Sequence, residues 1–202
     1  MEKLLEIKQI KKTFYKKKIP FVAVDNICFD VEKGECFGVV GESGSGKSTI
    51  AKIITHLITP DTGSVLLNGE ETLFLRGKKE RKLYQDIQMV FQTPQDSFDP
   101  RRTLGDGIME SMRNQGMKKH QAKERMYELL EMVELPGEFA SRYPHEVSGG
   151  QCQRAAIARA LAPNPQLMIC DEATSALDVT VQAQIVELLN KLREEQGLSL
   201  LL

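Results

Sequence analysis

The stretch Gly41–Thr49 (GESGSGKST) constrains this chain more than any other part of it. It fits the pattern G-x-x-x-x-G-K-[ST], a loop whose backbone amides can wrap a phosphate. Glu35–Val40 (ECFGVV) before it reads as a buried strand, and Ile50–Leu57 (IAKIITHL) after it reads as a helix. Gly41, Gly44 and Gly46 permit backbone conformations closed to other residues. The loop's N–H groups, with Glu42, Ser43 and Ser45 between the glycines, can then point inward. A helix opening at Lys47 adds free N–H groups and a partial positive charge. Lys47 would reach the β- and γ-phosphates of a nucleotide, and Ser48, followed by Thr49, would hold Mg²⁺. The competing reading is a Gly-rich turn that binds nothing.

The chain of 202 residues is long enough for one domain with a core, with room for a small subdomain. Its net charge of −1 gives no electrostatic case for nucleic acid as the main partner. The basic run Lys16–Lys18 reads as a solvated loop. Cys28, Cys36, Cys152 and Cys170 form no C-x-x-C pair, and Cys28, Cys36 and Cys170 sit in apolar runs. They read as reduced core residues rather than disulfide or zinc ligands. No apolar run approaches the length of a membrane span, and Met1–Ile10 is no signal peptide, so a role at a membrane requires a partner.

Along the chain, Leu4–Ile10 alternates as a half-buried strand, and Lys11–Lys18 reads as a polar loop carrying Phe14 and Tyr15. An aromatic ring there could stack on an adenine or pack on the sheet edge. Strands are expected at Val22–Val31, Val65–Asn68, Ile87–Phe91 and Leu167–Cys170, with turns at Lys33-Gly34, Thr59–Ser64 and Gly69-Glu70. Lys78–Tyr84 reads as a short helix. From Thr93 the texture changes: an ordered Pro- and Asp-rich loop to Arg102, then helical spacing over Thr103–Asn114 and His120–Val133 with no strand signal. Gly149–Leu161 and Val179–Gln196 are helical, and Ser199–Leu202 begins another strand.

Two further motifs carry chemistry. Leu167–Glu172 (LMICDE) is an apolar strand that delivers two carboxylates. In phosphate-loop ATPases the first Asp of such a strand binds Mg²⁺, which fits Asp171, and Glu172 could act as general base on the attacking water. The alternative is an acidic strand end in a surface loop. Val147–Gln151 (VSGGQ) lies inside HEVSGGQCQRAAIARAL, where Ser148, Gly149 and Gly150 open a helix and turn a hydroxyl and free N–H groups toward an anion. An ordinary helix capped by Ser148 fits the same residues.

With its leading Val in place of Leu, this last motif resembles the signature of the ATP-binding-cassette (ABC) ATPases. The phosphate loop, Gln92, the signature, Asp171-Glu172 and Ser175-Ala176-Leu177-Asp178 occur in that family's order. The resemblance implies that Gln92 touches Mg²⁺ and links the core to a helical subdomain. Gln151 completes the signature, and Asp178 lies in a loop crossing a dimer interface. Phe14 best matches the adenine-stacking aromatic, with Tyr15 the alternative. VFQTPQDSFDPRRTLGDGI and RYPHEVSGGQCQRAAIARAL are similar to the ATPase subunits of bacterial oligopeptide, dipeptide and nickel importers.

The implied fold is α/β: a P-loop NTPase core over residues 1–202, with an antiparallel β subdomain near the N-terminus and an inserted helical subdomain at about 93–147. The implied function is ATP binding and hydrolysis that powers uptake of peptides or nickel. The expected cofactors are ATP and Mg²⁺, with Glu172, Gln92 and Lys47 as catalytic residues and Ser48, Gln92 and Asp171 on the metal. The expected partners are a second ATPase subunit paired head to tail, two membrane permease subunits and, indirectly, an extracytoplasmic solute-binding protein, with no nucleic acid. The expected location is the cytoplasmic face of the inner membrane. The family also has a switch His after the strand that Ser199 begins, and His56, His120 and His145 lie elsewhere. The expectation is therefore a chain cut before the family's C-terminal segment, and one alternative is a nucleotide-binding fragment with little turnover. The other alternative is a non-transport ABC ATPase acting on nucleic acid.

Overall fold

The structure, a computed structural model, describes residues 2–171 and 179–202. In chain order the first elements are β1 (Lys3–Lys16), β2 (Ile19–Glu32), β3 (Cys36–Phe37), α1 (Lys47–Ile54), β4 (Thr62–Leu67), β5 (Glu70–Glu71), α2 (Lys78–Asp86) and β6 (Ile87–Val90). Then come α3 (Leu104–Asn114), α4 (Lys119–Met132), α5 (Gly149–Leu161), β7 (Leu167–Cys170), α6 (Val179–Gln196) and β8 (Ser199–Leu201). The strands form an antiparallel sheet in the order β2-β1-β4-β5 and a parallel sheet in the order β3-β8-β7-β6. This mixture fits the α/β expectation.

Strand β7 organises the parallel sheet. All four residues of LMIC are buried, as expected of a strand covered on both faces. Alternation divides them: Met168 and Cys170 face the core made with α3, α4, α5 and α6, while Leu167 and Ile169 face the core made with α1 and the antiparallel sheet. The next residue on the second face is Asp171, so the strand's own period aims that carboxylate at α1.

Local signals set the helix ends. Thr103 caps α3, its hydroxyl oxygen accepting the Asp106 N–H at 3.2 Å. Ser148 caps α5. Gly197, at φ 65°, follows the last residue of α6 in the left-handed conformation that closes many helices. Between β6 and α3 a 3₁₀ turn spans Pro94–Ser97, and its neighbour Phe98 packs so tightly on α3 that a Cβ at Gly107 would lie 2.6 Å from the ring.

Several expectations need correction. Lys11–Lys18 is not a loop: β1 runs through Lys16, and only Lys17 and Lys18, both at positive φ, make the turn. The end of this hairpin is solvated on both faces, so the alternation that marks a half-buried strand is lost there. Glu35–Val40 is not a buried strand either. Only Cys36–Phe37 are assigned to the sheet, and Val40 is 98% exposed, because the chain lifts off toward the phosphate loop. Cys28 is exposed on β2 rather than in the core, and its sulfur accepts the Gln9 N–H. Glu70, expected in a turn, pairs with Leu67 as the start of β5.

Candidate functional site

The phosphate loop rises from β3 and ends in α1, which begins at Lys47 with no side chain capping its first amides. The N–H groups of that first turn carry the positive end of the helix dipole. Gly46 sits at φ 98°, and a Cβ there would stand 2.2 Å from the Ala23 carbonyl oxygen. Only glycine meets both the conformation and the approach of β2. Gly41 is needed for a different reason than expected: its φ is ordinary, but a Cβ would fall 2.6 Å from the Ser45 hydroxyl oxygen. Glu42, Ser43 and Gly44 lie exposed along the loop, while Thr49 is half-buried in the first turn of α1. The Lys47 ammonium folds back over the loop, donating to the Gly41 and Glu42 carbonyls at 2.8 and 3.0 Å.

Ser48 and Asp171 meet from opposite sides of the sequence. The Ser48 hydroxyl donates to Asp171 Oδ1 at 2.7 Å, half-buried. Gln92 follows the end of β6, beside β7, where Val90 pairs with Cys170 and the Val90 carbonyl accepts the Asp171 N–H. The ends of both strands therefore lie against the start of α1. Ser48 and Asp171 offer hard oxygen donors, and among the described residues no group of His, Cys, Asp and Glu side chains could by itself cage a metal. The set suits Mg²⁺, which keeps several waters and takes few protein oxygens beside substrate phosphates.

A cleft of about 200 Å³ opens beside Lys47, Ile50, Asp171 and Leu202. None of Ser148–Gln151 lines it. Lys47 and Asp171 thus share one cleft within the chain. At the signature, the Ser148 hydroxyl oxygen accepts the Gln151 N–H at 3.3 Å, and the Gln151 side-chain oxygen accepts the Ser148 N–H at 2.9 Å. This reciprocal capping stabilises the helix start by about 1 kcal/mol and leaves Gly149 and Gly150 at its head. Gly150 is pressed against α6, where a Cβ would lie 2.7 Å from Val181. Glu172 and Asp178 lie outside the described residues.

Phe14 and Tyr15 point to opposite faces of β1, with Tyr15 74% exposed. Phe14 pairs across the hairpin with Phe21, and Lys12 Nζ stands 5.6 Å from its ring centroid. Lys12 pairs with Val24, whose side chain would lie 3.3 Å from a Cβ at Gly46. Phe14 alternates with Lys12 on that face, the one that meets the phosphate loop. Sequence reasoning missed Asp61, which braces this hairpin by accepting Lys12 Nζ at 3.0 Å and the Thr13 N–H at 2.7 Å. The expected turn Thr59–Ser64 is only half right, since Thr62–Ser64 already belong to β4, and nothing local named Asp61's distant partner.

Burial also shapes the thiols around the site. It pushes Cys170, next to Asp171, up to about 12 and Cys152 up to about 11, so both stay protonated and inert.

A sequence profile described as ABC transporter matches residues 24–175. The oligopeptide transport ATP-binding protein OppF of Bacillus subtilis is 47% identical over 99% of this chain and 67% of its own length. OppF of Escherichia coli is 46% identical over 97% of this chain and 59% of its own length. A dimeric structure of the ATP-binding cassette MJ0796 bound to ADP and Pi superimposes with a TM-score of 0.88 at 34% identity, covering 98% of this chain and 86% of that one. The chain is an ATPase domain, and it belongs to the ABC transporter family. It spans about two thirds or less of the length of these curated relatives.

Proposed function

We propose that this chain is the ATP-binding and ATP-hydrolysing subunit of a peptide importer. The observation that carries the reading is the Ser48–Asp171 contact under the Lys47 loop, in a chain close in sequence to proteins named for oligopeptide transport. Lys47 exchanges its loop carbonyls for the β- and γ-phosphates, and the first amides of α1 hold the same charge. Phe14, on the face that meets the loop, stacks on the adenine in preference to Tyr15. Ser48, Asp171 and Gln92 hold Mg²⁺, which when bound neutralises charge on the phosphates. Glu172 takes the proton from the attacking water.

A second copy in head-to-tail order completes the site with its Ser148 and glycines, a reading supported by the dimeric structure of the related cassette MJ0796. Helices α3 and α4 with the loop from Gln92 then form a helical subdomain, at about 93–147, that passes the nucleotide state to a permease. No helix among the described residues is long and apolar enough to cross a membrane. A peripheral position on the cytoplasmic face, against two permease subunits fed by a solute-binding protein, follows from that reading. Peptides are favoured over nickel because the relatives above are named for oligopeptides.

The test is twofold. ATP should bind in a Mg²⁺-dependent manner, Lys47→Ala should weaken it, and Glu172→Gln should bind but not turn over. A wild-type protein that binds no nucleotide overturns the reading. In cells lacking the gene, uptake of a labelled peptide should return with the wild type and not with Lys47→Ala; loss of nickel uptake alone would move the assignment to nickel.

A further inference from the structure

Gln153 is fully buried on α5, at 0% exposure, and neither its side-chain oxygen nor its nitrogen has a hydrogen-bond partner among the described residues. A buried carboxamide without partners costs more than a hydrogen bond contributes, so such groups are rare and call for a reason. Its helix is otherwise largely apolar here: Cys152, Ala155, Ala156 and Ile157 are all core residues. A methionine of the same length would fill that space with no amide to satisfy.

The place of Gln153 suggests what the amide is for. It lies one turn beyond Gly150, near the head of α5 that Ser148 caps. Gly150 abuts Val181 at the start of α6, and α5 also packs on the Pro94–Ser97 turn that follows Gln92. The next residue, Arg154, ties α5 to the end of α4 through the Val133 carbonyl at 2.9 Å and Glu134 at 2.8 Å. The first two turns of α5 thus rest on three neighbours, and Gln153, whose amide is unmet among the described residues, lies in the same two turns.

We propose that Gln153 is a positioning residue for ATP turnover. Its carboxamide takes up partners in the turn after Gln92 when the head of α5 re-seats, and so fixes Ser148 relative to Gln92. In the seating described here the amide is unmet, which disfavours this resting arrangement against the engaged one. The proposal rests on the ATPase reading above and adds to it a residue outside the nucleotide-binding motifs.

The test is Gln153→Met in the full-length protein, with melting temperature, Mg-ATP affinity, KM and kcat measured together. The expected result is a melting temperature unchanged or raised by a few degrees, an unchanged ATP affinity and KM, and a kcat lowered about 10-fold or more. An unchanged kcat overturns the proposal, since the amide is then a tolerated defect. A lowered melting temperature also overturns it, since Gln153 must then be bonded in the resting state. Failure of the wild type to hydrolyse ATP would instead sink the ATPase reading, so the two failures are distinct.

Discussion

Ser48 Oγ and Asp171 Oδ1 stand 2.7 Å apart, although 123 residues separate them in the chain. Two independent periodicities produce the meeting. The two-residue period of β7 turns Asp171 onto the face that carries α1, and the helix starting at Lys47 presents Ser48 in its first turn. Ser48 lies in the first turn of α1 and Asp171 directly follows β7, so two regular elements set the geometry of the proposed cation platform.

Asp171→Asn separates the platform's fold from its chemistry. The amide oxygen can still accept from Ser48, so the melting temperature should change little. The charge is gone, so nucleotide affinity should lose its Mg²⁺ dependence and kcat should fall about 100-fold or more. Titrations with ATP in EDTA and in Mg²⁺ provide the comparison. A Mg²⁺ dependence equal to that of the wild type would remove Asp171 from the metal site.

His56 predicts how stability responds to acid. It follows α1 at φ 60°, and its Nε2 lies 3.1 Å from the Thr72 hydroxyl, which itself donates to the Val65 carbonyl. The ring nitrogen must therefore be the donor. Burial lowers the His56 pKa below its ordinary 6.5; Glu80 and Glu71 oppose this and Arg76 adds to it. As pH falls below 6.5 the unfolded chain takes up the proton first. The contribution of His56 is thus complete above that value and is lost as pH falls through the folded pKa. Melting curves collected from about pH 7.5 to about pH 5 should show this loss, and His56→Gln, which keeps a donor, should flatten it.

The cysteines give an independent check on the core. Cys28 is exposed, whereas Cys152 and Cys170 are buried with thiols raised to about 11 and about 12. A maleimide at neutral pH should label Cys28 first and leave Cys152 and Cys170 for the unfolded protein, as read by mass spectrometry. The raised thiols also predict an alkaline limit: their contribution is whole below the ordinary 9.0 and is lost as pH climbs through about 11 and about 12. Rapid native labelling of Cys152 would contradict the packing of α5.

How much of this was legible in the sequence depends on whether the cause was local. The bounds of α5 and of β7 could be read because Ser148, Pro163 and a fully apolar run mark them. The place of the Gly41–Gly46 loop between a strand and a helix was legible for the same reason. The extension of β1 through Lys16 was not, because a ribbon solvated on both faces carries no hydrophobic period. Asp61, whose partners Lys12 and Thr13 lie 49 and 48 residues away, and the buried amide of Gln153 are products of tertiary packing that no local pattern reveals. The lifted Val40 belongs with them: an apolar residue at a strand's end reads as buried until the loop's path is known.

Gly46→Ala tests whether the hairpin and the phosphate loop form one unit. Alanine adds a Cβ 2.2 Å from the Ala23 carbonyl oxygen, and that oxygen belongs to backbone within β2, which cannot simply rotate away. The residue must also keep φ 98°, a conformation costly for any L side chain. Strain at such a position is about 1–3 kcal/mol before the clash is counted. Relief requires the loop to pull back from β2, which carries the amides of α1 and Lys47 out of register with the phosphates. The expected outcome is a melting temperature several degrees lower and ATP affinity reduced about 10-fold or more. Gly44→Ala is the control, because its φ of 82° is also positive but a Cβ there meets nothing within 4 Å. If the two variants lose affinity equally, backbone conformation alone sets the loop. If Gly46→Ala loses far more, the contact with Ala23 makes the adenine-side hairpin and the phosphate loop move together.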